Sequence, residues 1–214
     1  MAFPSLADAG VARTLAGMNS QHTPSDRVGR SSARPRLVIV PGLRGSGAGH
    51  WQSWLHGQIA DAVRVEQDDW DTPDLARWSD RIADTLASLG PGPQVIVAHS
   101  FGCLASVHLA ARRPADIAQM LLVAPAEPDR FGVAQLLPQA RLAVPSCMVA
   151  SDDDPWMSAA RAHAWALRWG SQWISLGKAG HINVDSGYGP FPLAREWAAG
   201  ALNRLELRPW RVAA

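Results

Sequence analysis

Short uninterrupted apolar runs alternate along the chain with longer segments in which apolar residues recur every three or four positions. The runs are rich in Val, Ile and Leu and stop at Pro, Gly or small polar residues, a pattern that predicts fully buried strands. Four runs follow this pattern, over residues 37–40, 95–98, 120–123 and 147–150, and two shorter segments, 63–65 and 173–175, are also predicted as strands. Strands that are apolar on both faces are typical of a parallel sheet covered by helices on each side.

The segments between the runs have the spacing of amphipathic helices. In the first of them, Trp51, Leu55 and Ile59 fall on one helical face. The spacing predicts helices over residues 50–62, 75–86, 104–113, 157–169 and 191–205. Strands alternating with helices predict a small doubly wound α/β fold with a mostly parallel sheet of about six strands. Only residues 127–144 are long enough to cover part of the sheet edge, so we expect no large lid domain.

Residues 1–35 differ from the rest of the chain, because they mix Ser, Arg, Ala, Gly and Pro without periodicity. We expect a disordered N-terminal tail there and a single domain over residues 36–214. The tail lacks the continuous apolar segment of a secretory signal, and no apolar run approaches the roughly 20 residues of a membrane span. Cys103 and Cys147 are too few for a disulfide scaffold. These features favour a cytoplasmic protein without a membrane partner.

Charge and aromatic content narrow the choice of function. The 20 Lys and Arg residues nearly balance the 19 Asp and Glu residues, which gives a net charge of +1. This charge disfavours nucleic acid as the main partner, because binding of phosphates requires a strongly basic protein surface. Ten tryptophans stand beside a single tyrosine, which indicates either a large apolar core or a cleft with aromatic walls. Helical spacing assigns Trp51, Trp54 and Trp78 to the core. The histidines lack metal-ligand spacing, so we expect neither a metal nor another cofactor.

The most informative segment is residues 95–102, which read VIVAHSFG. A buried strand runs directly into the pattern small-x-Ser-x-Gly and then into a helix, which is the context of a nucleophile elbow. Ala98 and Gly102 are small enough for the tight turn that lifts the hydroxyl of Ser100 above the carboxyl edge of the sheet. The alternative is a serine that merely caps the following helix. The buried strand before the motif favours the nucleophile.

A candidate base and candidate acids follow the serine in the chain order of a catalytic triad on such a sheet. His181 follows the last predicted strand, and it is the one histidine outside the tail, the predicted helices and the elbow. Asp152, Asp153 and Asp154 follow the fifth strand at the same edge. Asp154 directly precedes a proline, so it is as compatible with a helix N-cap as with the acid of a triad. Asp152 and Asp153 are also compatible with solvated positions in a loop. The spacing therefore does not choose among the three.

The glycine-rich loop over residues 42–49 fits a hydrolase and also a competing class of protein. A hydrolase needs one backbone N–H from this loop and one directly after the nucleophile to bind an oxyanion, and Leu43 and Phe101 would supply them. A glycine-rich turn after a first strand also imitates a dinucleotide site. However, His50 replaces the third glycine of that fingerprint, and Ala48 stands where a phosphate loop requires lysine. The dinucleotide class would also leave the elbow unexplained.

Ordered matches along the chain resemble one family. They lie at residues 41–42, 49–53, 65–70, 97–103, 122–125, 151–155 and 179–187. On these stretches the chain resembles the small α/β-hydrolases of retinoblastoma-binding protein 9 and its bacterial YdeN-like relatives. The resemblance implies a compact, lidless serine hydrolase that acts on ester or peptide-type bonds, and it places the acid directly before proline, at Asp154. The association of the family with a protein partner keeps a binding role open.

Two tryptophans are candidates for the walls of the substrate pocket. Trp156 lies two residues after Asp154, so we expect it beside the site. Trp70 follows the second strand at the carboxyl edge of the sheet, where it either lines the pocket or packs beneath the next loop. The balanced charge favours a neutral or weakly polar substrate.

The sequence thus predicts a serine hydrolase that cleaves a small ester, or an amide, through Ser100, His181 and Asp154. Its partner would be the small-molecule substrate, and an acyl-enzyme would form during turnover. The alternative is a protein- or ligand-binding module on the same scaffold with little or no turnover.

Overall fold

Within residues 34–207, which a computed structural model of the protein describes, six strands form one entirely parallel sheet. The strands are β1 (Arg36–Val40), β2 (Val63–Arg64), β3 (Gln94–Ser100), β4 (Gln119–Pro125), β5 (Ser146–Ala150) and β6 (Gln172–Ser175). Their order across the sheet is β2-β1-β3-β4-β5-β6. The predicted fold class is confirmed, because strands that are apolar on both faces are buried only when helices cover each side of the sheet.

The order of the strands reverses direction between β1 and β3. The chain moves outward from β1 to β2, then returns to β3 and continues to β4, β5 and β6 on the opposite side. The loops that follow the carboxyl ends of β1 and β3 therefore lead in opposite directions. In open α/β sheets, ligands bind in the crevice left between such loops. These two loops carry the glycine-rich segment and the elbow.

The helices that flank the sheet are α1 (Trp51–His56), α2 (Leu75–Ser88), α3 (Phe101–Arg112), α4 (Ala159–Trp169) and α5 (Pro192–Glu206). The side chains of His50 and Ser158 cap α1 and α4 by accepting backbone N–H groups of the first turn. α1 is shorter than the predicted helix over residues 50–62, because the chain leaves the helix at Gly57. α3 begins earlier than predicted, directly after Ser100.

Alternate residues of each strand face two separate apolar layers. From β1, Val38 packs with side chains of α2, α3 and α4, whereas Ile39 packs with those of α1 and α5. Trp78 of α2 is buried in the first layer and Trp51 of α1 in the second, as their helical spacing predicts. Trp54 is half-buried at the margin of the second layer. The helices thus lie on both faces of the sheet, as expected for buried parallel strands.

The segment between β4 and β5 forms a thin cover in place of a lid domain. It contains two short 3₁₀ helices, Pro128–Phe131 and Ala134–Leu136. Val133 anchors the cover in the layer shared with α2, α3 and α4. Phe131 packs edge to face against Phe101, with ring centroids 5.1 Å apart, so the cover lies beside the elbow.

The prediction of a disordered tail over residues 1–35 concerns a segment that lies outside the described residues, apart from Arg34 and Pro35 before β1. The described part of the predicted domain belongs to a single compact unit. Of the helices that the structure describes, none has the length and apolar character needed to cross a membrane.

Candidate active site

The serine of the elbow lies where β3 passes without a break into α3. Ser100 has φ 52° and ψ −124°, a conformation that residues other than glycine rarely adopt and that costs on the order of 1–3 kcal/mol. Gly102 permits the turn because it has no side chain. A Cβ at this position would lie 2.8 Å from the Val40 carbonyl oxygen and would clash with the carbonyl oxygen of Pro41. Among the described residues the Ser100 side chain makes no capping bond to α3, so the capping alternative is wrong.

The structure brings the three predicted triad side chains together. Ser100 Oγ lies 3.0 Å from Nε2 of His181, which follows β6. The other ring nitrogen of His181, Nδ1, lies 2.8 Å from Oδ2 and 3.1 Å from Oδ1 of Asp154, which follows β5. The side chains of His181 and Asp154 are 8% and 4% exposed, so water has little access to their hydrogen bond. A carboxylate in this position favours the Nδ1–H tautomer, which leaves Nε2 free to accept the serine proton.

The two acids next to Asp154 make different contacts. The Asp153 carboxylate accepts a hydrogen bond from the Gly180 N–H at 2.8 Å, and this N–H lowers the pKa of Asp153. The Asp152 carboxylate accepts one from a serine hydroxyl of β6. α4 begins only further along the chain, so Asp154 does not cap a helix. Of the three acids that the spacing left open, Asp154 is the one whose carboxylate contacts the His181 ring.

Two buried ring N–H groups hold the loop that carries His181. Nε2 of His99 donates to the His181 carbonyl oxygen at 3.0 Å, and Nε1 of Trp51 donates to that of Ile182 at 2.8 Å. These bonds stabilise a strained backbone, because Ile182 is a β-branched residue with φ 48°. No pattern along the chain signals either contact, since 82 and 131 residues separate the partners.

Three imidazole rings lie in series beside the nucleophile. The ring centroid of His99 is 4.9 Å from that of His50 and 4.9 Å from that of His181. Burial, with contributions from Arg64 and His181, lowers the pKa of His50 to about 4. Burial also lowers the pKa of His99 well below its usual value. His50 and His99 are therefore neutral near pH 7, and neither adds a positive charge beside an imidazolium at His181.

The loop after β1 is pressed against the elbow. A Cβ on Gly42 would lie 2.7 Å from the Cβ of Ser100, so only glycine fits there. The Arg44 N–H donates to a carbonyl oxygen of the loop after β2 at 2.9 Å. The adjacent Leu43 N–H has no acceptor within residues 34–207. The Phe101 N–H belongs to the first turn of α3, whose N–H groups have no intrahelical acceptor. The two predicted oxyanion donors therefore lie on the loop after β1 and at the start of α3, which meet at Ser100.

The two predicted pocket tryptophans occupy different environments. Trp70 is half-buried and packs edge to face against Trp78, with ring centroids 5.7 Å apart. It also lies against Gly45, so the structure shows the packing alternative, in which Trp70 supports the glycine-rich loop. Trp156 is 54% exposed, and its ring centroid lies 6.3 Å from that of His181. Trp156 therefore forms an accessible wall beside the candidate base.

Other reactive side chains lie away from this site. Cys103 and Cys147 are buried thiols, and burial raises the pKa of both. Within residues 34–207 no group of three or more His, Cys, Asp or Glu side chains is arranged to hold a metal ion.

A family model described as serine hydrolase matches residues 37–198, a range that contains Ser100, Asp154 and His181. The chain belongs to the serine hydrolase family. Its structure is similar to that of a YdeN-like hydrolase from Pectobacterium atrosepticum, with 38% sequence identity and a TM-score of 0.76 over 81% of this chain and 94% of that one. The ydeN gene product of Bacillus subtilis is 19% identical, with a TM-score of 0.66 over 79% of this chain and 99% of that one. No curated protein matches the chain.

Membership of the serine hydrolase family makes the protein a hydrolase and confirms the predicted resemblance to YdeN-like proteins. More distant structures share the fold alone. One is the carboxylesterase CesB of Bacillus subtilis, which is 14% identical, with a TM-score of 0.57 over 79% of this chain and 84% of that one. The family establishes hydrolysis as the reaction class.

Proposed function

We propose that this serine hydrolase cleaves a small ester, or an amide, through a triad of Ser100, His181 and Asp154. The observation that carries the proposal is the continuous line of hydrogen bonds from Ser100 Oγ through both nitrogens of His181 to Asp154, with separations of 3.0 Å and 2.8 Å. A serine hydroxyl is a weak nucleophile until a base accepts its proton. The line supplies that base and a carboxylate that orients it.

In the first half of the reaction, Ser100 Oγ attacks the carbonyl carbon of the substrate and its proton passes to Nε2 of His181. Asp154 holds the imidazole in the required tautomer and stabilises the imidazolium that forms. The carbonyl oxygen becomes an oxyanion, which the N–H groups of Leu43 and Phe101 bind. The strained backbone of Ser100 keeps its hydroxyl fixed during the attack, so less ordering is required at this step.

In the second half, His181 gives its proton to the leaving oxygen or nitrogen, and the bond from the carbonyl carbon to the leaving group breaks. The product of this step is an acyl-enzyme on Ser100. His181 then accepts a proton from water, the resulting hydroxide attacks the acyl carbon, and the proton returns to Ser100 Oγ as the acid departs.

The surroundings of the site support a small organic substrate as the partner of this protein. Leu43 and Phe131 are partly buried against the apolar layer that contains side chains of α2, α3 and α4, and they offer apolar contact area for an acyl group. The nearly balanced charge of the chain supports a neutral or weakly polar substrate. We also assign the enzyme to the cytoplasm, where its two free thiols would stay reduced.

Labelling with a fluorophosphonate probe tests the nucleophile. The probe bonds covalently to an activated serine, so we expect labelling of the wild type and none of Ser100→Ala. Ser88→Ala changes an exposed serine at the end of α2 and should be labelled like the wild type. Labelling that persists in Ser100→Ala would overturn the assignment.

Turnover of p-nitrophenyl acetate separates the enzyme from the binding module. For a working triad, Ser100→Ala and His181→Ala should each lower kcat about 10⁴-fold or more, since the two residues act as a unit. Equal and low rates in the wild type and both variants would favour a binding module on a hydrolase scaffold.

A further inference from the structure

This inference rests on the proposed triad, which determines where the leaving group of the substrate lies. Nε2 of His181 returns its proton to the leaving atom, so the leaving group must be next to this ring. An exposed large side chain beside the ring is Trp156, with its centroid 6.3 Å away. Trp156 is 54% exposed, so its ring is accessible to a ligand.

A positively charged side chain lies against the same tryptophan. Cζ of Arg130 is 5.6 Å from the centre of the Trp156 ring, and the negative face of an aromatic ring attracts a guanidinium. The acids nearest to Arg130 along the chain, Glu127 and Asp129, both pair with Arg161 of α4. Among the residues that the structure describes, no carboxylate lies within salt-bridge distance of Arg130. Its charge is therefore available to a ligand.

The segment that carries Arg130 is fixed at both ends. Before it, the carboxylate of Glu127 accepts two hydrogen bonds from Arg161, at 3.0 Å and 3.2 Å. After it, the ring of Phe131 packs edge to face against Phe101 of the elbow. A residue held between two such anchors needs little further ordering of its backbone when it binds an anion.

We propose that Trp156 and Arg130 form a leaving-group subsite that selects a flat alcohol or phenol bearing a carboxylate. The flat part of the leaving group lies on Trp156, and its carboxylate pairs with Arg130. Because an ion pair at an exposed site contributes modestly, the subsite gives a preference and not an absolute requirement. A carboxylate on the leaving group departs from the neutral or weakly polar substrate that the charge balance of the whole chain favours, because Arg130 places a positive charge locally beside Trp156.

Two acetate esters test the subsite, because phenyl acetate and para-acetoxybenzoate share the acyl group and differ by one carboxylate. The quantity to compare is the ratio of kcat/KM for the anionic ester to that for the neutral ester. Comparing this ratio between variants cancels the difference in intrinsic reactivity of the two esters. Arg130→Gln should lower the ratio about three- to fivefold through a higher KM for the anionic ester. Arg130→Lys keeps the charge and should retain most of the ratio.

Arg204→Gln is the matched control, since it also removes one exposed positive charge. Arg204 lies in the last turn of α5, which begins after the His181 loop at the carboxyl edge and therefore ends near the opposite edge of the sheet. Its ratio should equal that of the wild type. Raising the salt from about 20 to about 300 mM should lower the ratio in the wild type and leave it unchanged in Arg130→Gln, because salt screens exposed charges.

The tryptophan has its own test. Trp156→Ala should raise KM for both esters, whereas Trp156→Phe, which keeps a flat aromatic face, should leave KM near that of the wild type. Equal KM values in Trp156→Ala and the wild type would overturn the role of the ring.

The outcomes separate the two proposals. A ratio in Arg130→Gln equal to that of the wild type would overturn the subsite and leave the hydrolase proposal intact. If neither ester is hydrolysed in a Ser100-dependent manner, the proposed function fails and the subsite fails with it. Arg130 and Trp156 are both exposed, so their replacement should leave folding unaffected.

Discussion

At the scale of single residues, two adjacent carboxylates have different contacts, and the proposed triad therefore gives them different roles. The Asp154 side chain faces the His181 ring and is almost inaccessible to water. Asp153 is exposed and accepts the N–H of Gly180, the residue before His181. Direct contact with the ring is what allows a carboxylate to fix the tautomer and stabilise an imidazolium. Asp153 acts on the base only through the backbone of its loop.

Replacing each carboxylate by its amide distinguishes these roles. Asp154→Asn should lower kcat about 10³- to 10⁴-fold, because an amide does not hold the Nδ1–H tautomer that the nucleophile needs. Asp153→Asn keeps an oxygen that accepts the Gly180 N–H, so its kcat should stay within about threefold of the wild type. Steady-state hydrolysis of p-nitrophenyl acetate measures both. Equal losses would show that Asp153 shares the role of the acid.

At the scale of elements, the geometry of the triad depends on how α1 and β3 pack against the loop after β6. α1 contributes the Trp51 N–H and the elbow contributes the His99 N–H, and the two groups bind consecutive carbonyl oxygens of that loop. The separation of Ser100 from His181 therefore depends on two residues, Trp51 and His99, that lie outside the proposed triad. Small displacements at such positions reduce rates strongly, because the reacting groups must be aligned before the reaction.

Trp51→Phe tests this dependence. The variant leaves the Ile182 carbonyl oxygen without its partner and should lose about 2–4 kcal/mol of unfolding free energy together with about tenfold in kcat. Trp169→Phe is the matched control, since Trp169 is also buried and its Nε1 donates to the Pro138 carbonyl oxygen at 3.0 Å, but it lies at the end of α4. Urea unfolding and ester hydrolysis should show similar losses of stability and a loss of kcat in Trp51→Phe alone. A normal kcat in Trp51→Phe would contradict the positioning role.

At the scale of the whole molecule, stability depends on pH through imidazoles that are buried in the neutral form. His50 is protonated below about pH 6.5 in the unfolded chain, but only near pH 4 in the folded protein. Between these values the unfolded state binds more protons, so the free energy of unfolding decreases as the pH falls. Above pH 6.5 the imidazole is neutral in both states and makes no contribution to this slope.

His50→Asn should make this decrease shallower. Asparagine is a favourable N-cap, so the variant keeps a cap on α1 while it removes the titrating group. Between pH 6.5 and about pH 4 the variant should take up fewer protons on unfolding, by at most one. The slope of unfolding free energy against pH should therefore decrease by at most about 1.4 kcal/mol per pH unit. Urea unfolding of both proteins at several pH values measures the slope. Identical slopes would contradict the buried, neutral state of His50.

The sequence was most informative where the physical requirement is local. Uninterrupted runs of Val, Ile and Leu indicate buried strands, and the small residues around Ser100 indicate a tight turn, because both requirements involve only neighbouring residues. The spacing did not choose among the three acids after β5, since all three lie in one loop and the choice depends on which side chain meets His181. The sequence predicted Trp156 beside the site from its position two residues after Asp154, but it left two alternatives for Trp70, and only packing shows that Trp70 supports the glycine-rich loop.

By itself the sequence determined the alternation of strands and helices, the family and the reaction class, because burial periodicity and the elbow motif are carried by short segments. Only the tertiary structure decided the contacts that join distant segments. These are the bond from Asp154 to His181 across 27 residues, the bond from Trp51 to Ile182 across 131 residues, and the position of Arg130 against Trp156. Such contacts depend on how whole elements pack, which no local pattern of side chains specifies.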